Sequence, residues 1–452
     1  MEKELTSLDK LVNVVEQIHY NIIPERTIQK AKECIADFIS VAFKGSLNVM
    51  STRLKAVTKA PFESNEEDTA LWIGSTARMP DIDDGHRFAM AHPGVAINSA
   101  ALVIAWKHGK INGKALIEAV VKAYEVYCYE GRVINPSAYL KRGVDATSIC
   151  GSAAAATAVG SLLKFNRTQM LDAISLAASL AGGLNQSAID GSAQKYIVAG
   201  WGAKTGIASA RMAANGLGGP CHVFEGRLGF VNAYSPEPDT ETLYNPQLTW
   251  DINNVYMKRY ACVRRIHATL DAVRGIMHKE NLTAADITTV KVYGSQFLCE
   301  AVNYSPKDDA QAQTSVPYTL AVLINEGCVE DELLLKYLND ETMLTYAKKI
   351  TVNQDPELVA MAEKNKSLWG AAKVEIETIS GKIFKSTQIT PYGDPELPLP
   401  KGAVEEKFMA YVSETCSKEY TRSLWNIVNS LETIENTQEL FQELFTRFAQ
   451  HK

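Results

Sequence analysis

Apolar residues recur at helical spacing from the start of the chain. Leu8, Leu11, Val14 and Val15 mark a helix over residues 9–18, and Ile28, Ala31, Ile35, Phe38, Ile39 and Val41 a second over 26–44, with Pro24 between them. After a polar, loop-like stretch around Pro61 to Asp68, the pattern predicts helices over Thr69–Ala77, Ala96–His108 and Gly113–Val126. Three segments dominated by Ala, Gly, Ser and Thr follow: Ala146–Leu163, Met170–Leu184 and Gly202–Gly216. Alanine favours helix, and small side chains let helix axes approach closely, so these segments predict a tightly packed helical core. Lys164, Arg167, Lys195, Lys204 and Arg211 interrupt them, which argues against a membrane bundle.

The period changes after about Trp250. Ile287–Tyr293 alternates and is rich in β-branched residues, and similar strand signals recur at Ile350–Val352, Ala372–Thr378 and Lys382–Thr390. Helical spacing over 264–279, 309–325 and 340–348 lies between them, and a Pro-bearing turn segment, Pro391–Gly402, closes the region. Helix resumes from Val404 to the C-terminus through Phe408, Tyr411, Leu424 and Leu431. The predicted fold is mainly α with an α+β insert. Residues 1–256 and 404–452 form an all-helical domain, and 257–403 an inserted α+β lid.

Composition narrows the function. Of 452 residues, 46% are apolar and 22% charged, as in an ordinary globular protein. A net charge of -6 without any Lys/Arg tract speaks against nucleic acid or anionic membrane as a partner. The 8 cysteines include no Cys-x-x-Cys pair and read as free thiols of a reducing compartment. The N-terminal Met1 to Ser7 lacks the apolar core of a signal peptide. The most apolar window, Val95–Trp106, is too short for the roughly 20 residues of a membrane span. A cytoplasmic protein is expected.

Chemistry concentrates in Asp81–Gly94, which reads Asp-Ile-Asp-Asp-Gly-His-Arg-Phe-Ala-Met-Ala-His-Pro-Gly. Pro93 permits a helix to begin there and puts His92 at its positive end, a field that favours the neutral imidazole a general base needs. Taken alone, the stretch reads equally well as a surface turn with solvated charges. Metal binding lacks any His-x-x-x-His support. Lys195 is either a snorkelling surface group or an anion-binding cation. Lys258-Arg259-Tyr260 and Arg264-Arg265-Ile266-His267 form a dense cationic stretch at the domain boundary, where His267 and Asp271 are spaced to pair. It reads as a salt-bridged helix start or as the cationic wall of a cleft for a multiply charged acid. Tyr318, after Ser315-Val316-Pro317, is read as core or interface before proton donor. No G-x-G-x-x-G, P-loop or G-x-S-x-G is present, so no nucleotide cofactor is expected.

These fragments, in this order, resemble the MmgE/PrpD family: Asp81-Ile-Asp-Asp-Gly-His86 to His92-Pro-Gly94, Gly143-Val-Asp-Ala-Thr147, Lys195 with Ala199-Gly200, Lys258-Arg-Tyr260 with His267-Ala-Thr-Leu-Asp271, and Ser315-Val-Pro-Tyr318. The resemblance covers nearly the whole chain and implies a helical domain with an α+β lid, a homodimer, and a site between domain and lid. It implies Asp81, His92 and Lys195 on the helical side, and Lys258 and Tyr318 on the lid side. Two positions depart from common members: Gly85 stands where many have threonine, and Asp145 where decarboxylase-like members have histidine. The second mildly favours dehydration or epimerisation.

The implied activity is that of a cofactor- and metal-independent lyase, 2-methylcitrate dehydratase-like, removing a proton alpha to a carboxylate of a small di- or tricarboxylate. The alternatives, in order, are an imino- or amino-dicarboxylate epimerase, a cis-aconitate decarboxylase-like enzyme, and a non-catalytic carboxylate-binding protein. His92 is the expected base with Asp81 orienting it, Tyr318 or Asp145 the acid, and Lys195, Lys258, Arg264, His86 and His267 the substrate-binding groups. The enediolate formed beside a carboxylate needs such preorganised cations.

Overall fold

The computed structural model describes residues 4–450; the first three residues of the polar N-terminal stretch and the last two of the chain lie outside it. Two separate apolar cores organise it. One runs from Leu8 to Ala261 and is rejoined by Leu399 to Phe448, and the other is built from Tyr260 to Phe384.

The first core is helical. At its centre lies the Ala146–Leu162 helix, sixteen of whose 17 residues are buried, as expected of a helix apolar on every face. The helices Pro93–His108, Gly113–Ile134 and Gln194–Ala214 pack against it. The three C-terminal helices, Ala403–Ser413, Lys418–Asn429 and Gln438–Gln450, return to this core. Trp106 stacks on Phe445 at 4.5 Å, Phe43 meets Phe448 at 4.4 Å, and Lys407 Nζ donates to Asp37 at 2.6 Å.

Helix bounds depart from the periodicity in two places that matter. The third small-residue helix begins at Gln194, not Gly202, so Lys195 lies in its first turn instead of a junction. Glycine normally weakens a helix, but Gly200 here is a contact point: a Cβ on it would sit 2.0 Å from the Leu71 carbonyl oxygen. Tertiary packing overrides local propensity. Conversely, the helix expected over 309–325 is split into Asp309–Ala312 and Val316–Glu326, with Ser315 capping the second by accepting from the Tyr318 amide at 3.2 Å.

In the second core, Ile287–Gly294 pairs parallel with Ile350–Gln354 and antiparallel with Ala372–Thr378, which pairs antiparallel with Ile383–Gln388. Alternate residues Ala372, Val374, Ile376 and Thr378 are buried, the pattern of a sheet covered on one face, and the Arg264–Glu280 helix packs against this strand and the next. A second, two-stranded ladder matters more for function. Gly85–His86 pairs antiparallel with Val255–Tyr256, joining the acidic motif to the segment that leads into the α+β part. Among the described residues, no helix is long and apolar enough to cross a membrane.

Replacing Gly200 with alanine should force the Gln194–Ala214 and Glu66–Arg78 helices apart and destabilise the protein by about 1–3 kcal/mol, the usual cost of overpacking. Urea unfolding of Gly200→Ala beside the wild type measures it.

Candidate active site

The site is assembled at the ends of elements. Arg78 ends the Glu66–Arg78 helix, and the chain then turns through Asp81, whose φ of +53° is a left-handed conformation that aspartate tolerates better than most residues. Lys258 follows the Val255–Tyr256 strand, and Lys195 enters from the first turn of its helix. These three cations meet on one fully buried carboxylate. Lys195 Nζ donates to Asp81 Oδ2 at 3.0 Å, Lys258 Nζ to Oδ1 at 2.5 Å and to the Asp81 carbonyl at 2.8 Å, and Arg78 bonds Oδ1 as well. Burial opposes ionisation of Asp81, but the three cations outweigh it and hold the carboxyl well below its usual range. Arg78 also reaches Asp83 Oδ1 at 3.0 Å. Asp83, pushed up by burial but pulled down more strongly by Arg78 and His92, ends at about 2. Three cations against two carboxylates leave one excess positive charge.

His92 is the N-cap of the Pro93–His108 helix, and its side chain makes no capping bond. Its Nδ1 lies 2.8 Å from the Asp84 carbonyl oxygen and 3.1 Å from Asp83 Oδ2. Only an Nδ1–H satisfies the carbonyl, so in the neutral ring Nε2 is the unprotonated nitrogen. Burial first, and the charge of Arg78 second, lower the imidazole's pKa. Asp84 behaves differently from its two neighbours. It accepts from the Gly94 amide at 2.9 Å and from the Tyr124 hydroxyl at 2.6 Å but, among the described residues, pairs with no cation, and burial raises its carboxyl to about 7. Three adjacent acids thus have three environments.

His92, Arg78, Asp145 and Lys195 line a partly open cavity with Tyr256, Arg264, Arg265, Phe297, Lys366 and Trp369. Comparison with known proteins now bears on this arrangement. Residues 9–243 match the MmgE/PrpD N-terminal domain and residues 260–433 the MmgE/PrpD C-terminal domain. The chain belongs to the MmgE/PrpD family. It is 23% identical to a cis-aconitate decarboxylase of Aspergillus terreus, over 93% of this chain and 92% of that protein. It is 24% identical to a cis-aconitate decarboxylase-like protein of Aspergillus oryzae, over 95% of each. The cis-aconitate decarboxylase of Homo sapiens is 23% identical over 97% of this chain and 94% of its own length.

Against the expectations drawn from the MmgE/PrpD resemblance, the structure brings some residues together and parts others. His92, Asp145, Lys195 and Arg264 line the cavity, whereas Asp81 and Lys258 lie beneath it, Lys258 being only 1% exposed. Asp145 caps the Ala146–Leu162 helix, its Oδ1 accepting from Thr147 N at 2.8 Å. Tyr318 is away from the cavity: its helix is buried in the second core, and its hydroxyl donates to the Leu334 carbonyl at 2.7 Å. His267 also stays inside, 3.1 Å from the Cys262 carbonyl, with its pKa lowered by burial to about 3. It does not pair with Asp271, which instead accepts from Tyr260 and the Tyr392 amide, both at 2.9 Å. Arg264 is tied to Asp394, from the loop that follows the sheet.

His86 lies in a buried cluster outside the cavity. Its Nε2 is 3.3 Å from Asp251 Oδ1, and its Nδ1 accepts the Ala89 amide at 3.2 Å. His86, Cys128 and Asp251 have possible ligand atoms within 4.8 Å of one another. Arg132, however, takes both oxygens of Asp251, each at 2.7 Å, and the trio reads as an ion-pair network.

Sequence reasoning missed Arg78, Lys366 and Gln313, and took in Arg265 only as part of the cationic Arg264–His267 stretch. Neither Arg265 nor Lys366 has a carboxylate partner within 4 Å among the described residues. Gln313, from the α+β side, accepts Lys195 Nζ at 2.5 Å and donates to the Met79 carbonyl at 3.0 Å. The Arg264-Arg265 pair was a visible signal; nothing local distinguishes Arg78 or Gln313.

Asp81→Asn leaves the buried cations short of a counter-charge and should destabilise the protein by about 3–5 kcal/mol in denaturant titration. Asp84 has the opposite sign. Its folded pKa of about 7 lies above the ~3.9 of an unfolded aspartate. Its stabilising contribution is therefore complete below pH ~4 and is lost as the pH rises toward 7. Asp84→Asn should flatten that part of the stability–pH curve, as melting temperatures from pH 4 to 8 would show.

Proposed function

We propose that this protein is a lyase that acts, without a cofactor, on a small di- or tricarboxylate, with His92 as the base that removes a proton alpha to a carboxylate. The observation that carries the reading is the His92 ring. A neutral imidazole with Nδ1–H committed to the Asp84 carbonyl has its free nitrogen available as a proton acceptor in a cavity walled by cations. When Nε2 takes the proton, the C–H electron pair moves into an enediolate, and Arg78 and Lys195, which line the same cavity as the base, offset the new charge. Arg265 and Lys366, with no carboxylate within 4 Å among the described residues, suit the remaining carboxylates.

Dehydration in the manner of a 2-methylcitrate dehydratase is the preferred form, supported by aspartate at position 145. The names of the relatives support a second form, decarboxylation of a cis-aconitate-like acid. Epimerisation of an amino- or imino-dicarboxylate shares the first proton transfer. Proton NMR in D2O with a panel of citrate-, aconitate- and aspartate-derived acids separates the three: alkene formation, loss of a carboxylate, or inversion alone. Silence across the panel would favour a carboxylate-binding protein.

His92→Gln should lower kcat/KM by about 10²–10⁴, the usual contribution of a positioned base, while the fold is kept. Near wild-type turnover would sink the assignment. Because the base works only when unprotonated and its pKa is depressed, wild-type kcat/KM should rise with pH to a plateau already reached near the ordinary histidine value of ~6.5. A midpoint above 7 would contradict it.

A further inference from the structure

The elimination proposed above needs a proton for the departing oxygen. Of the two acids expected from sequence, Tyr318 lies in the second core and Asp145 is engaged as a helix cap. Two phenols line the cavity, the half-buried Tyr139 and the buried Tyr256, and neither the motifs nor the comparisons single them out. Tyr256 is 6% exposed and lines the cavity together with His92.

Its hydroxyl is unlike those of the other buried tyrosines. Tyr124, Tyr127, Tyr129, Tyr196, Tyr260, Tyr318 and Tyr411 each donate to a protein oxygen. That is the general behaviour, because an unpaired buried hydroxyl costs stability. Among the described residues Tyr256 has no such partner. Nor does it belong to the fully enclosed unpaired atoms, among them Ser148 Oγ, Thr269 Oγ1 and Tyr420 Oη, which face no cavity of the site. A hydroxyl that is unpaired yet open to the cavity is free to meet a ligand.

The ladder explains how it gets there. Gly85 and Tyr256 are directly opposed in the antiparallel pair, so side chains at the two positions share one face. A Cβ on Gly85 would lie 2.1 Å from Tyr256 Oη and 2.2 Å from Cζ. Gly85 is not among the residues of positive φ, so its backbone conformation does not call for glycine. Space does: the phenol occupies the volume of a side chain at position 85. The Arg264 guanidinium, held by Asp394, lies 5.3 Å from the ring centroid and supports it from the lid side.

We propose that Tyr256 is a catalytic residue, the proton donor that completes the reaction begun at His92, admitted to the cavity by glycine at position 85. The inference rests on the lyase reading. In elimination, His92 Nε2 takes the alpha proton and the C–H pair becomes the second bond of the alkene. The C–O bond breaks with its pair on oxygen, the Tyr256 hydroxyl gives that oxygen its proton, and water leaves. The imidazolium then returns one proton to the phenolate, and both groups regain their starting states. Burial holds the phenol's pKa above its ordinary value, with Arg264 opposing, so the donor is protonated across the working range.

The test compares wild type, Tyr256→Phe and Gly85→Ala by proton NMR in D2O on an acid the wild type turns over. Tyr256→Phe should keep alpha-proton exchange within about threefold and lose product formation by about 10²–10⁴. Its melting temperature should not fall, because the hydroxyl has no protein partner to lose. Gly85→Ala, which displaces the ring, should show the same split between exchange and product. Product formation by Tyr256→Phe within threefold of wild type would overturn the assignment and leave the lyase reading intact, as would equal losses of exchange and product. A wild type that exchanges no alpha proton of any acid overturns both.

Discussion

The Asp81 carboxylate is the interaction on which the rest of the site depends. It is fully enclosed, and an isolated charge there would be prohibitively costly. Arg78, Lys195 and Lys258 remove that cost only by converging from three chain segments at hydrogen-bond distance. Each of them is buried too, and none can withdraw without stranding a charge. Lys258 comes from the start of the α+β part and Gln313 from within it, so the same network that satisfies Asp81 also fixes the two apolar cores relative to each other. The cavity lies where they meet.

From that anchor the chemistry of the motif follows. Asp81 and Asp83 share Arg78 and stay ionised. Asp84, one residue on, has only neutral donors and is pushed toward protonation. Burial first, and then the charges of Arg78 and Lys258, disfavour protonation of His92. A ring kept neutral beside cations is what proton abstraction next to a carboxylate requires, because the same charges that suppress imidazolium stabilise the enediolate.

Much of this was legible in the sequence, for identifiable reasons. The helix start at Pro93, the small-residue core and the four strands of the α+β part follow from local pattern, since proline geometry and periodicity act over a few residues. Asp81, His92 and Lys195 were visible through the order of their motifs. What was not legible depends on partners distant in sequence. Gly200 reads as a helix breaker until Leu71 is placed against it. Arg264 looks like a free substrate ligand until Asp394, 130 residues away, neutralises it. Tyr318, read from its neighbours as core and only by resemblance as an acid, donates its hydroxyl hydrogen bond to the Leu334 carbonyl inside the second core. Tyr256 looks like a strand residue until its seven buried counterparts prove to be hydrogen-bonded and it does not.

The distribution of cations argues for an enzyme over a binding protein. The chain is acidic overall, at -6, yet its cavity is walled by Arg78, Lys195, Arg265 and Lys366. Capture of a carboxylate would need no more than that. It would gain nothing from a histidine held neutral among them, since an imidazolium would bind an anion better. Nor would it need a buried phenol that lines the cavity and, among the described residues, has no partner there. Both groups are costly for binding or stability alone, and both make sense where a proton must leave one atom of an acid and another must arrive nearby.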